Sequence, residues 1–107
     1  MKEVAIVIPN YNGMQYLETC LSSLERQSFR EFNIYLVDNG STDQSRSFVS
    51  GRFPGVQWIQ LDQNYGFSRA VNEGILRSEE PYVILLNNDT QAEETFVEEI
   101  LQGIRRH

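Results

Sequence analysis

The sequence is 107 residues long, 40% hydrophobic and 22% charged, the proportions of an ordinary soluble domain, and folding a chain of this length removes roughly 65% of its unfolded surface from water, enough for one core. Nine basic against fifteen acidic residues leave a net charge of −6, and no basic run exceeds the pair Arg105 and Arg106, which argues against nucleic acid as a partner. A single cysteine, Cys20, excludes an internal disulfide, and no apolar run approaches the ~20 residues of a membrane span.

The opening MKEVAIVIPN is too short in its apolar stretch for a signal peptide and lacks a small-residue cleavage site, so the chain reads as cytoplasmic. Val4 to Ile8 is a continuous apolar run, as expected of a strand covered on both faces. The polar cluster PNYNG (9 to 13) follows it. Met14, Leu17, Leu21 and Leu24 then fall three and four apart, on one face of a first helix that also carries Cys20 as a core residue.

Ile34 to Val37 forms a second buried strand, followed by DNGSTD (38 to 43). Ser41 or Thr42 suits the cap of the next helix, and Asp43 suits its positive end. That helix, DQSRSFVSGRF, is short and rich in Ser, ending near Gly51 and Pro54. Asp38 precedes the turn, at a strand tip, where a carboxylate can accept hydrogen bonds from a ligand's N–H or hydroxyl groups.

Val56 to Leu61 partly alternates and belongs nearer an edge. After DQNYG (62 to 66), residues Phe67, Ala70, Val71, Gly74 and Ile75 line one face of a third helix. Gly66 permits a tight turn or a close backbone approach, beside Asn64, and the helix start supplies N–H donors for an anion. Arg69 is the only cation at any strand-to-helix junction. It either grips a diphosphate in a bidentate way or is a solvated helix arginine.

Tyr82 to Leu86 is a fourth apolar run, and it ends on Asn87, Asn88, Asp89 and Thr90 before a helix carrying Phe96, Val97, Ile100 and Leu101. Asp89 has two readings. It begins the last helix, with Thr90 as cap and Glu93 and Glu94 at its positive end, or it holds a hard cation, Mg²⁺ or Mn²⁺. Such a cation takes one or two protein carboxylates and is completed by substrate phosphates. No Cys/His set exists for zinc, the sole histidine being the terminal His107.

Strand and helix alternate, which predicts a doubly wound α/β sheet of about four mostly parallel strands with helices on both faces. Ligands bind beyond the carboxyl ends of the strands in such sheets, so the four polar clusters should converge on one edge. The patterns GxGxxG and GxxxxGKS/T are absent, so neither a dinucleotide fingerprint nor a P-loop is present. Nothing forms a Ser/His/Asp or Cys/His constellation.

Taken together, VAIVIPNYNG, IYLVDNGSTDQS, NYGFSRAVNEGI and YVILLNNDT resemble the first half of an inverting family 2 glycosyltransferase with the GT-A fold. The resemblance runs from residue 3 to about residue 97, and the LLNNDT form is most similar to the rhamnosyltransferase-type branch that decorates cell-surface polysaccharides. It implies a cytoplasmic enzyme, peripheral to the inner membrane in a longer chain, that uses a UDP- or dTDP-sugar with Mg²⁺ or Mn²⁺. It implies that Pro9, Asn10 and Tyr11 pack around base and ribose and that Asp38 hydrogen-bonds the uracil or thymine ring. It further implies that Asn64, Gly66 and Arg69 lie near the diphosphate, and that Asn87, Asn88 and Asp89 form the metal motif with Asp89 as ligand and Asn88 on the nucleotide. Two departures stand out: the first acid of that motif is Asn87, and nothing in the chain matches the family's catalytic base, as expected of a donor-binding half. An open sheet edge invites pairing with another copy.

Two other readings compete. A sugar nucleotidyltransferase would show a Gly-rich, Arg/Lys-bearing loop after the first strand, and PNYNGMQYLE has none. A receiver-like signalling domain would show an acidic pair there and a late lysine, whereas Pro9 and Asn10 follow the first strand and Lys2 is the only lysine.

Overall fold

Residues 2–105 are described by a computed structural model; Arg106 and His107, the end of the basic pair and the lone histidine, lie outside the described residues. Strand and helix alternate: β1 (Val4–Asn10), α1 (Met14–Glu25), β2 (Phe32–Asp38), α2 (Ser45–Arg52), β3 (Gln57–Gln60), α3 (Phe67–Arg77), β4 (Tyr82–Leu85) and α4 (Phe96–Arg105). The sheet order is β3-β2-β1-β4, and every pairing is parallel. This is the expected doubly wound arrangement, with β3 at an edge as its partial alternation predicts.

Register decides what stands at the carboxyl ends. Asn10 of β1 lies opposite Asp38 of β2, which lies opposite Gln60 of β3. Three polar side chains that each close an apolar strand therefore form one row across the sheet.

Alternation along β1 sends Val4, Ile6 and Ile8 to one face, where they meet Leu17, Leu21 and Leu24 of α1, Val49 of α2, and Val97 and Leu101 of α4. Ala5 and Val7 go to the other face, with Val37, Ile59 and Ala70 of α3. The α1 leucines are fully buried, and truncating one typically costs ~2–5 kcal/mol. On the second face α3 packs over β1 and β2 but leaves Val83 and Leu85 of β4 exposed. The apolar run of β4 is thus covered on one face, not on both as its composition suggests.

Two expected caps are replaced by contacts from elsewhere in the chain. Gln44 precedes α2 and makes no side-chain cap; Ser41 instead binds Asp38, and Asp43 accepts from the Ser45 N–H at 3.0 Å and the Met14 N–H at 3.2 Å. One carboxylate thereby joins the starts of α1 and α2. Burial raises the Asp43 pKa, but the hydrogen bonds from Ser45 and Met14 outweigh it and hold the carboxyl below its ordinary value.

Thr90 does not cap α4, which begins only at Phe96, and Glu98 and Glu99 rather than Glu93 and Glu94 occupy its first turn. The buried Gln27 explains the delay. Its amide donates to Glu93 O at 2.6 Å and accepts from the Val97 N–H at 3.0 Å. Ser23 Oγ accepts from the Ala92 N–H at 3.0 Å. Residues 92–97 are bound to the end of α1 instead of coiling early.

Candidate functional site

Asp38 is only 1% exposed, and a buried carboxylate is costly unless its lone pairs are filled. Four donors fill them. Oδ1 accepts from Asn10 Nδ2 at 2.9 Å and Ser41 Oγ at 2.6 Å, and Oδ2 from the Ser41 N–H at 2.8 Å and Gln60 Nε2 at 3.0 Å. Asn10 Oδ1 in turn accepts from Asn88 Nδ2 at 2.8 Å. Asn88, Asn10, Asp38 and Gln60 thus link the loop after β4 to β1, β2 and β3 in sheet order by side chains alone.

In front of this row the strand ends and loops enclose a cleft of about 400 Å³, lined by Pro9, Asn10, Tyr11, Asn39, Asn64, Gly66, Phe67, Asn87, Asn88 and Asp89. Of the residues expected here, Pro9, Asn10, Tyr11, Asn64, Gly66, Asn88 and Asp89 come together. Asp38 sits behind the lining, with its oxygens turned to protein donors. Arg69 also lies outside it: its Nε is 3.5 Å from Glu73 Oε1, and its guanidinium stands 4.4 Å over the Tyr65 ring.

Asn39 and Phe67 line the cleft without having been singled out. Asn39 is buried, donating to Gly66 O at 3.1 Å and accepting from the Tyr65 N–H at 3.3 Å, so it holds the β3–α3 loop against β2. Its signal in the sequence is its place immediately after a strand tip. Gly66 takes φ 93°, the left-handed region that favours glycine, and Asn64 Oδ1 accepts its N–H at 2.8 Å. Gly13 is required by packing. A Cβ there would stand 2.1 Å from Asn88 Nδ2 and 2.4 Å from Asn10 Oδ1.

Asp89 is exposed and is the only carboxylate lining the cleft. No group of three His, Cys, Asp or Glu side chains able to hold a metal exists among the described residues. One carboxylate among amides does not make a closed structural site, but it fits a hard cation that completes its shell with water and ligand phosphates. Below it, burial and then the Asp89 charge push the Cys20 thiol up to about 11, so Cys20 offers no thiolate near neutral pH. A second cavity of about 290 Å³ lies between α1, β2 and the turn after α2, walled by Leu21, Leu24, Phe32, Ile34, Phe53 and Val56. It lacks a converging set of strand-tip groups.

Residues 5–107 match the family described as Glycosyl transferase family 2. The chain belongs to that family. Its relatives include the teichoic acid poly(glycerol phosphate) polymerase of Staphylococcus epidermidis, 32% identical over 95 residues, which are 85% of this chain and 13% of that protein. Glycosyltransferase GlyG of Streptococcus pneumoniae is 27% identical over 105 residues, 95% of this chain and 35% of that protein. Among solved structures, S. aureus TarS 1-349 in complex with UDP-GlcNAc superposes with a TM-score of 0.88 at 25% identity, over 98% of this chain and 32% of that chain. This glycosyltransferase family 2 chain therefore spans about a third or less of these relatives. No helix of the described residues is long and apolar enough to cross a membrane.

Proposed function

We propose that the chain is the donor-binding part of an inverting, metal-dependent glycosyltransferase, holding a UDP- or dTDP-sugar across the strand tips. The observation that carries this reading is the cleft itself, an amide-lined hollow at the carboxyl ends of a parallel sheet with one exposed carboxylate, Asp89. The TarS complexes with UDP and UDP-GlcNAc support it. In this reading Asp89, with the amide oxygens of Asn87 and Asn88, holds Mg²⁺ or Mn²⁺. When bound, the cation supplies charge neutralisation for the departing nucleoside diphosphate.

The remaining residues bind and orient. Pro9 and Tyr11 flank base and ribose. Asn39, whose amide keeps one hydrogen and one lone pair free after its two protein contacts, is the polar side chain nearest the base, with Asp38 behind it as support. Asn64, Gly66 and the first N–H groups of α3 face the diphosphate, and Arg69 reaches it by leaving Glu73. The acceptor is a cell-surface polysaccharide or lipid-linked glycan, in keeping with the teichoic acid polymerase among the relatives.

The test is calorimetric titration of UDP, dTDP and GDP with and without Mn²⁺, on the parent and on Asp89→Ala. Mn²⁺-dependent binding of UDP or dTDP that is lost in Asp89→Ala is expected. Equal binding by parent and variant in Mn²⁺ would remove the metal role.

A further inference from the structure

The row of side chains behind the cleft has a direction. An ionised carboxylate only accepts hydrogen bonds, whereas a carboxamide has one donating and one accepting end. Asp38 therefore forces the nitrogen of Asn10 toward itself, which turns Asn10 Oδ1 toward β4. Asn88 must then present its nitrogen to Asn10. Its own Oδ1 has no protein donor among the described residues, and no buried side-chain polar atom lacks a partner, so that oxygen is open to the cleft that Asn88 lines.

We infer that Asp38 is a positioning residue: through Asn10 it fixes the Asn88 amide with its oxygen outward, next in sequence to Asp89, so that Asn88 adds an oxygen to the Asp89 carboxylate at this end of the cleft and favours a cation. The inference rests on the proposed role of Asp89 and Asn88 as cation ligands and extends it to Asp38 and Asn10, which need not touch the cation's first shell. Outer partners of this kind orient ligands, and their loss typically weakens metal binding about 10–100-fold.

The far end of the row makes the effect of a substitution definite. Gln60 Nε2 is held by Leu61 O at 2.8 Å while Gln60 Oε1 accepts from Trp58 Nε1 at 2.8 Å, so Gln60 must donate to position 38. The Ser41 backbone N–H must donate there too. In Asp38→Asn these two obligate donors claim the new amide oxygen, which leaves its NH₂ facing Asn10. Asn10 then has to turn over, followed by Asn88, and an NH₂ group replaces the oxygen beside Asp89.

The test compares parent, Asp38→Asn, Asn88→Asp and the double variant, measuring the ratio of UDP dissociation constants without and with Mn²⁺. Asp38→Asn should lose about tenfold or more of the Mn²⁺ enhancement, read as that ratio whatever the change in metal-free UDP binding. Asn88→Asp alone sets a carboxylate against Asn10 Oδ1 and should not improve on the parent, despite its added charge. In the Asp38→Asn background the same change meets the reversed Asn10 nitrogen and should restore the enhancement, a sign reversal that general destabilisation does not produce. Undiminished enhancement in Asp38→Asn, or an Asn88→Asp effect equal in both backgrounds, overturns the inference. Should the parent show no Mn²⁺ enhancement, the metal reading itself fails. The relay is then judged by side-chain amide NMR, where slow exchange of the Asn88 NH₂ protons in the parent and fast exchange in Asp38→Asn support it, and fast exchange in the parent overturns it.

Discussion

Gly13→Ala isolates the junction between β1 and the loop after β4. Gly13 has φ −99° and ψ 22°, a conformation open to other residues, so the added methyl introduces no backbone strain. As the residue preceding α1, alanine costs only about 0.5 kcal/mol relative to glycine. The steric effect is larger, because the methyl would lie 2.1 Å and 2.4 Å from the two atoms of the Asn88–Asn10 hydrogen bond. Contacts that short must open by more than about 1 Å to reach van der Waals distance, which breaks the bond. Asn10 is 2% exposed, so its oxygen would be orphaned at ~1–3 kcal/mol, the dominant contribution. A total of about 1.5–3.5 kcal/mol lowers the melting temperature by roughly 6–28 °C in a chain of this size. Thermal unfolding by circular dichroism measures this, and amide NMR should show Asn88 and Asp89 shifted while Ser41 and Gln60 stay in place. A melting temperature within about 2 °C of the parent, with Asn88 unmoved, would refute the claim that this contact is tight.

Gln27→Ala removes the tie between α1 and residues 93–97 and should cost ~2–3 kcal/mol through the unpaired Val97 N–H and Glu93 carbonyl, read as lost hydrogen-exchange protection at Val97 before any loss in the strands. Burial raises the Glu80 pKa, but hydrogen bonds from Asn33, Tyr35 and the Glu79 N–H outweigh it and hold the carboxyl below its ordinary 4.5; its stabilisation is therefore present above that value and lost as pH falls below it. Tyr35 is pushed up to about 12, first by burial and then by its hydrogen bond to Glu80. Its stabilisation is full below 10 and lost as pH rises toward 12, so denaturant midpoints should fall on both limbs and Tyr35→Phe should flatten the alkaline one. Acceptor-dependent glycoside formation by residues 1–107 is not expected: Asp89 is the proposed cation ligand, Asp43 is bound to Ser45 and Met14, Asp62 to the Tyr65 hydroxyl, and no other carboxylate of the described residues lines the cleft. Product analysis with nucleotide sugars and an acceptor panel checks this, and transfer would identify one of these acids as a base.

The strands were legible because burial on a parallel sheet writes itself as apolar runs, and the cleft because each run ends on polar residues that parallel connections bring to one edge. What the sequence concealed is direction and partnership. Asp38 at a strand tip reads as a group facing outward, but register places it between Asn10 and Gln60, and their donors turn it inward. Asn39, one residue later, reaches the cleft instead. Gln27 gave no signal, since a polar residue past the end of a helix looks solvated until the segment 92–97 is seen to need its hydrogen bonds. Local capping rules failed at Thr90 because Ser23 and Gln27, distant in sequence, hold residues 92–97, and at Ser41 because its hydroxyl donates to Asp38 and accepts the Asn12 N–H.

Electrostatics at the cleft supports a last prediction about which part of a nucleotide depends on the cation. Among the described residues no lysine or arginine lines the cleft, and Arg69, in the first turn of α3, is engaged with Glu73 and Tyr65. A diphosphate entering beside the exposed Asp89 meets repulsion that at 4 Å runs from about 1 kcal/mol per charge pair in water to about 4 at an effective dielectric of 20, reduced by solvent screening toward the lower figure but repeated over several phosphate charges, in a chain already at −6. The N-terminus of α3 offsets only ~0.3–1 kcal/mol of this, up to ~2 in a partly buried geometry. The repulsion therefore exceeds the attraction unless, as proposed, Asp89 holds a divalent cation, which would reverse the sign there. In EDTA, UDP should bind no more tightly than uridine, because its phosphates bring no net gain. With Mn²⁺, UDP should gain tenfold or more, about 1.4 kcal/mol, while uridine stays unchanged. If UDP already exceeds uridine by about tenfold in EDTA, then Arg69 or the helix start supplies the charge. Loss of that preference in Arg69→Ala would assign it to the guanidinium, and its persistence to the backbone N–H groups of α3.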